Sequence, residues 1–447
     1  YILMFYSEIK EIIIRRFCYK YIGYEFFMKN NKTFLFNFFN EDNLIFFITI
    51  ILSKFKNHIS NYLKDLNNTN KIESNILAKN IFAKPFINMD LTEEMDYLII
   101  NNLPYYFDKA GYSKQYLKGK ISNFQYLLLI NKYSARSYND LFQYLIFPLL
   151  FMDSERKKER ELSKLIALNK SEEMNEITIS KIENNYIELG NHFNTHYSTS
   201  GYVLYYLVRM NPFTSGHIKL QSNKLDSPAR MFNNIDNYLK IVSSTDDNRE
   251  LIPEFFYSYE AFLNLNKNNL GYIDFEDIQI NDLNTGDKNG IAEFIINMRQ
   301  QLERADILPW IDNFFGCYQD IESEKNEKII NKEIFNIFPS TSYEKKFLKK
   351  IKEIKERINT PSEIIRDIKL ELDFLSVGMC PVQLFKTSLK DKKASKNKSL
   401  EGASISYKNN KNIFESNSTE NITQKFLNSS SAEKDNIFII DVLTEDN

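Results

Sequence analysis

The stretch from Asn191 to Tyr257 constrains this chain more than any other, because it mixes apolar and polar residues too tightly for an ordinary surface helix. Its runs NHFNTHYSTSGYVLYYLVRMNPFT, HIKLQSNKLDSPARMF and RELIPEFFY read as core with polar groups built in. Ser198, Thr199 and Ser200 each offer an oxygen to cap a helix. Pro212 stops that helix, since the residue before a proline is pushed out of the helical region. Val203, Leu204, Leu207 and Val208 form its apolar stripe, and Tyr202, Tyr205, Tyr206 and Arg209 line the flank. That spacing predicts Arg209 over tyrosine rings one turn back. Asp226 or Ser227, followed by Pro228, announces a second helix with Met231, Phe232, Ile235 and Leu239 on one side. Glu254 then stands among apolar neighbours. If buried it needs a partner, and Arg136, Arg209 and Arg230 are the candidates.

A chain of 447 residues suggests about three units at ~150 residues each. Its 57 Lys and Arg against 59 Asp and Glu leave a net charge of −2, so no overall field favours nucleic acid. Cys18, Cys317 and Cys380 are far apart, which fits a reducing, cytosolic compartment and indicates neither zinc site nor disulfide framework. The most apolar run, Leu44 to Leu52, is shorter than the ~20 residues that cross a bilayer, so membrane contact would be peripheral. Tyr1 to Tyr6 lack the basic start of a signal peptide, and the chain, which begins without Met, is read as part of a longer protein.

Along the chain, IIIRRFCYK, YEFFMK and TFLFNF read as strands, with Asn30 and Asn31 in a tight turn that tolerates positive φ. An apolar helix over about Leu44 to Leu66 follows. Residues 67–117 are Asn-rich, broken by Pro85 and Pro104, and read as a linker. Ser122 and Gln125 form a capping box. Ser137 begins a helix that Pro148 ends. Asp153 to Glu161 reads as a solvated charge run. Ile291 to Glu303, Ile307 to Phe315 and the lysine-rich Tyr343 to Ile358 read as helices, and Thr360-Pro361 caps another. After Lys386 the composition is too polar to fold.

Three places invite a chemical reading. His192 and His196 have the spacing that sets two imidazoles on one helical face, but the general-base Glu is replaced by Phe193 and no third ligand is indicated. A hydrogen-bonded structural histidine is the better reading. His196 with Ser198 and Ser200 lacks the surroundings of a nucleophile and its base. Asp282, Asn284 and Glu293 fall at calcium-loop positions, yet Asp287 stands where the turn glycine is required. No cofactor is indicated. Arg136, Asn139, Asp140, Asn194, His196, Tyr197, Arg209, Arg230 and Glu254 are read instead as internal wiring that satisfies an irregular backbone.

Several segments resemble the BEACH domain family of large trafficking proteins, the family of neurobeachin and the Chediak-Higashi protein. The carriers are ISNFQYLLLINKYSARSYNDLFQYL (Ile121 to Leu145), RELSKLIALN (Arg160 to Asn169), Phe193 to Ser198, Val208 to Thr214, Lys224 to Phe232, Glu250 to Tyr257, Trp310 to Gln319 and PVQLF (Pro381 to Phe385). Departures fall before Ile121, where Tyr116 or Leu117 replaces a tryptophan, and between Leu270 and Gly290. Ser7 to Phe17 and Tyr24 to Phe38 resemble the second half of the PH-like domain that precedes BEACH domains. The resemblance implies a mainly α fold with an irregular core over residues 118–386, a partial PH-like β fragment plus helix over 1–66, and a disordered tail over 387–447. A β fragment of this kind should expose a sheet edge.

The resemblance also implies a non-catalytic scaffold in vesicle, lysosomal or autophagic membrane traffic that binds protein partners, cytoplasmic and peripheral to membranes. A WD-repeat propeller commonly follows in the family. Some of the wiring residues could instead reach a groove between the PH-like and BEACH parts, faced by Arg15, Arg16 and Glu25, whose alternative is an exposed strand face. A lipid-binding PH module is the rival class, and a hydrolase built on His196 is another.

Overall fold

The computed structural model describes residues 8–17, 19–38, 47, 99–100, 102–153, 156–224, 226, 231–244, 247–265, 267, 277–278, 280, 290–319, 334–357 and 377–389. The chain divides into two compact units, Tyr1–Lys109 and Ala110–Asn447.

The first unit is built on a sheet of order β3-β2-β1-β4, with β1 (Ile9–Phe17), β2 (Lys20–Met28), β3 (Thr33–Asn37) and the short β4 (Ile99–Ile100). β1, β2 and β3 are antiparallel, with Ile14 opposite Tyr24 and Phe26 opposite Phe34. IIIRRFCYK is not one strand. The chain reverses at Tyr19, whose φ of 58° is left-handed, and β2 begins at Lys20. At the next reversal only Asn31 takes positive φ (65°), while Asn30 accepts a hydrogen bond from the Lys32 N–H through its side chain. That is a three-residue loop rather than the two-asparagine turn expected. β4 pairs in parallel with Ile12 and Ile13, which covers that side of β1 and leaves β3 and β4 as the sheet's outer strands. Ile12 to Arg16 are all buried, which means that both faces of this strand are covered. Helix α1 (Leu103–Lys109) closes the unit, burying Leu103 and Phe107. The helix expected over 44–66 lies outside the described residues except at Phe47.

The second unit is mainly helical. Its described helices are α2 (Tyr112–Leu117), α3 (Asn123–Tyr133), α4 (Glu172–Leu189), α5 (Ser200–Tyr206), α6 (Phe213–Leu220), α7 (Ile235–Val242), α8 (Gly290–Arg304), α9 (Leu308–Phe314) and α10 (Glu344–Arg357). α1 and α2 show that the end of the stretch read as a linker is already helical. Tyr116, at the place of the missing tryptophan, stacks on Tyr126 at 4.1 Å and donates its hydroxyl to Asn123. The capping box forms as expected, Ser122 accepting from the Gln125 N–H and Gln125 from the Ser122 N–H.

Between the helices the core is irregular. Ser137 does not begin an α-helix: a single 3-10 turn covers Leu141–Gln143, and Phe147 then bridges to Leu251 in antiparallel fashion. Asn131 is the reason. From α3 it donates to the carbonyls of Leu127 and Ile146 and accepts from the Ile146 N–H, fixing an extended strand beside the helix. Met231 and Phe232 are buried but precede their helix, which Asn234 caps at Ile235. Ser227 and Pro228 lie outside the described residues. α4 was not anticipated, although Ser171 before two glutamates and Gly190 at φ 76° mark its ends. The aromatic centre joins Tyr206, Phe232, Tyr238, Phe255 and Phe262, with ring centroids mostly 5–6.5 Å apart.

Candidate functional site

Residues 195–199, an irregular segment before α5, bring together segments distant in sequence. Thr195 accepts at its carbonyl from the Asn248 side chain, the His196 N–H donates to the Val377 carbonyl at 2.7 Å, and the Glu250 N–H donates to Tyr197. The Tyr197 hydroxyl donates to the Phe314 carbonyl at 3.3 Å, and its ring meets that of Phe314 edge-on. Thr199, of the three candidates, caps α5 by accepting from the Tyr202 N–H. Gly378 lies against this segment with φ of 90°, and a Cβ there would stand 2.5 Å from the Ser198 carbonyl oxygen.

Arg136 is almost fully buried. Its guanidinium donates to the Tyr144 carbonyl at 2.7 Å, to Ser198 Oγ at 2.8 Å and to the Met379 carbonyl at 2.9 Å. One side chain thus ties the start of the extended strand, residues 195–199 and the closing segment. Beyond Met379, the closing segment adds the Val382 N–H to the Ser134 carbonyl, the Leu384 N–H to Phe315, and Leu389 and Ser388 to the Asp312 carboxylate.

The two histidines do not share a helical face. His192 accepts at Nδ1 from the Ile337 N–H at 3.0 Å. His196 is fully buried against Tyr197 and Phe338, and its Nδ1 accepts from the Ser198 N–H at 3.2 Å. Burial first, then the Arg136 cation, hold its pKa well below the ordinary imidazole value, so the ring is neutral. That nitrogen also lies 3.3 Å from the Ser198 carbonyl oxygen, while Ser198 Oγ is engaged by Arg136. Among the described residues, the side chain that this hydroxyl meets is thus a cation and not the base that nucleophilic catalysis requires.

Glu254 is buried, as anticipated, but its named partner is not an arginine: Oε1 accepts from the Tyr144 hydroxyl at 2.6 Å. Burial pushes its pKa up to about 7 against the lowering effect of that hydrogen bond. The buried ion pair lies four residues earlier. Glu250 takes a forked contact from Arg160, at 2.8 and 2.9 Å, and also accepts from the Leu149 N–H. Both side chains are essentially inaccessible. Sequence reasoning missed this pair by placing Arg160 in a solvated charge run. The available signal was that Arg160 opens RELSKLIALN, where Leu162, Leu165 and Ile166 are core residues.

Arg209 is buried and donates to the Phe232 carbonyl, with burial lowering its pKa to about 10. The cation over Tyr202 and Tyr205 is Arg249, 4.4 Å from each ring and paired with Asp247. Asp140 caps its 3-10 turn through Phe142 and holds Gln143. Asn139 and Asn194 are exposed, and the Asn139 N–H donates to Ser137 Oγ at 2.9 Å. Arg230, Asp282 and Asn284 lie outside the described residues, and Glu293 stands in the first turn of α8. In the first unit Arg15 binds Glu25 at 2.6 Å, both buried, and the buried Arg16 lies over the Tyr19 ring. None of the three is on an exposed strand face.

Comparison with known proteins agrees with this arrangement. A family model described as Beige/BEACH domain matches residues 114–392. BEACH domain-containing protein B of Arabidopsis thaliana is 34% identical over 220 residues, covering 45% of this chain and 8% of the plant protein. Protein SPIRRIG of Arabidopsis thaliana is 34% identical over 261 residues, 52% of this chain and 7% of its own length. The Lysosomal-trafficking regulator of Homo sapiens is 33% identical over 254 residues, 50% and 7% respectively. The match therefore spans less than a tenth of each relative. The chain belongs to the Beige/BEACH domain family.

Proposed function

We propose that this chain serves vesicle traffic as a non-catalytic scaffold that binds protein partners, in the cytoplasm and at the periphery of membranes. One observation carries the reading: the chemically versatile side chains of its middle, Arg136, His196, Arg160, Glu250 and Glu254, are buried and bound to backbone groups or to neighbouring side chains. Groups so occupied brace a fold and offer nothing to a substrate. The similarity to a human protein named as a lysosomal-trafficking regulator supports the cellular setting. Lysosomal or autophagic membranes, a PH-like identity for the β unit and a following WD-repeat propeller belong to the same proposal.

The lipid-binding rival through the β unit loses its support, because Arg15 is paired with Glu25 and Arg16 is covered. Neutralising them would disturb the sheet and so cannot serve as a binding test. The test compares wild type and His196→Ala by thermal melting, by ester hydrolysis and by capture of cytosolic proteins on the full chain. The proposal expects a lower melting temperature, no turnover from either protein, and capture of vesicle-coat or tethering components by the wild type. A well-folded His196→Ala that loses a turnover shown by the wild type overturns it.

A further inference from the structure

Helix α10 carries the sequence EKKFLKKIKEIKER, with seven Lys and Arg against three Glu and hence a net charge of +4, in a chain whose total is −2. Positive charge is thus concentrated in this one described helix. Phe347 is buried and anchors one side of it, whereas Lys345, Lys346, Lys349, Lys350 and Lys352 are all exposed. Positions 345, 349 and 352 share one face by their spacing, 346 and 350 lie beside it, and the exposed Glu353 falls within the same arc. Leu348, 44% exposed, stands on the flank of this arc. No described helix is long and apolar enough to cross a membrane, so contact of the described residues with a bilayer would be at its surface.

We infer that the lysine face of α10 docks on the surface of an anionic lipid bilayer. Charge complementarity selects a negative partner, and residue type selects the bilayer over an acidic protein. Protein interface cores are enriched in aromatic residues, Met and Arg and depleted in Lys, the reverse of this face. Lysine is a compact charge on a flexible stem, suited to many lipid phosphates and carboxylates in no fixed register. Leu348 is placed to enter the headgroup layer beside them. The inference stands independently of protein partners and of the β unit.

The experiment is sedimentation of the full chain with vesicles of phosphatidylcholine alone or mixed with phosphatidylserine, over a range of salt. Two variants are compared. Lys346, Lys349 and Lys350→Gln removes three charges from the face, and Lys219, Lys224 and Lys240→Gln removes three exposed charges elsewhere. A lysine near an anionic surface contributes about fivefold in affinity. The inference expects salt-sensitive binding to the mixed vesicles, weakened on the order of a hundredfold in the first variant and little in the second. Equal binding to neutral vesicles, equal loss in both variants, or no binding by the wild type overturns it. So does selective loss of binding to immobilised polyglutamate with vesicle binding unchanged, which would assign the face to an acidic protein. All six lysines are exposed, and matching melting temperatures check that folding is kept.

Discussion

At the scale of single residues, the second unit is held by buried polar groups whose removal is costly because their partners stay behind. Arg160→Met would leave Glu250 without its cation in the core, and breaking a buried pair in this way costs about 3–5 kcal/mol. The double variant Arg160→Met/Glu250→Leu should recover much of that loss in urea unfolding; equal damage in both would mean that the pair is not coupled. Glu254 gives a pH signature. Its carboxyl titrates near 7 in the fold against an ordinary 4.5, so the fold favours the protonated form. Stability from this group is full below about 4.5 and is lost as pH rises through 7, on the order of 3 kcal/mol at 1.36 kcal/mol per unit. Glu254→Gln should flatten that decline between pH 5 and 8, and an unchanged slope would place the titration elsewhere.

At the scale of elements, what could be read in advance follows from whether the signal is local. The capping box at Ser122, the helices α8 and α9 and the lysine-rich α10 are legible because caps and apolar spacing lie within each segment. The stretch after Ser137 is not, since Asn131 and Arg136 impose extended backbone on a helix-like pattern from outside it. The two-residue β4 is invisible for the same reason: its only marker is a partner in β1. In the site, the burial of His196, Arg136 and Glu254 could be read from their apolar settings. Which cation meets which anion could not, because Arg160 and Glu250 are far apart in sequence and meet only in the folded unit. Thr199→Ala, which removes the cap of α5, should cost about 1 kcal/mol. Gly378→Ala should cost about 1–3 kcal/mol from backbone strain, and more from its approach to the Ser198 carbonyl. A Gly378→Ala protein that melts like wild type would show that the closing segment is not seated on residues 195–199.

At the scale of the whole molecule, the closing segment ties together parts of the second unit that are far apart in sequence. It reaches Arg136 through Met379, Phe315 through Leu384, and Asp312 through Ser388 and Leu389. These contacts join the start, middle and end of the family match. In a fold braced in this way the interior polar groups are committed to holding it together. The most direct test is the urea unfolding free energy of Arg136→Met, which removes three donors and leaves three buried acceptors. At about 1–3 kcal/mol for each group left unsatisfied, a loss of roughly 3 kcal/mol or more is predicted. An unfolding curve that superimposes on that of the wild type would contradict the claim that these side chains brace the core.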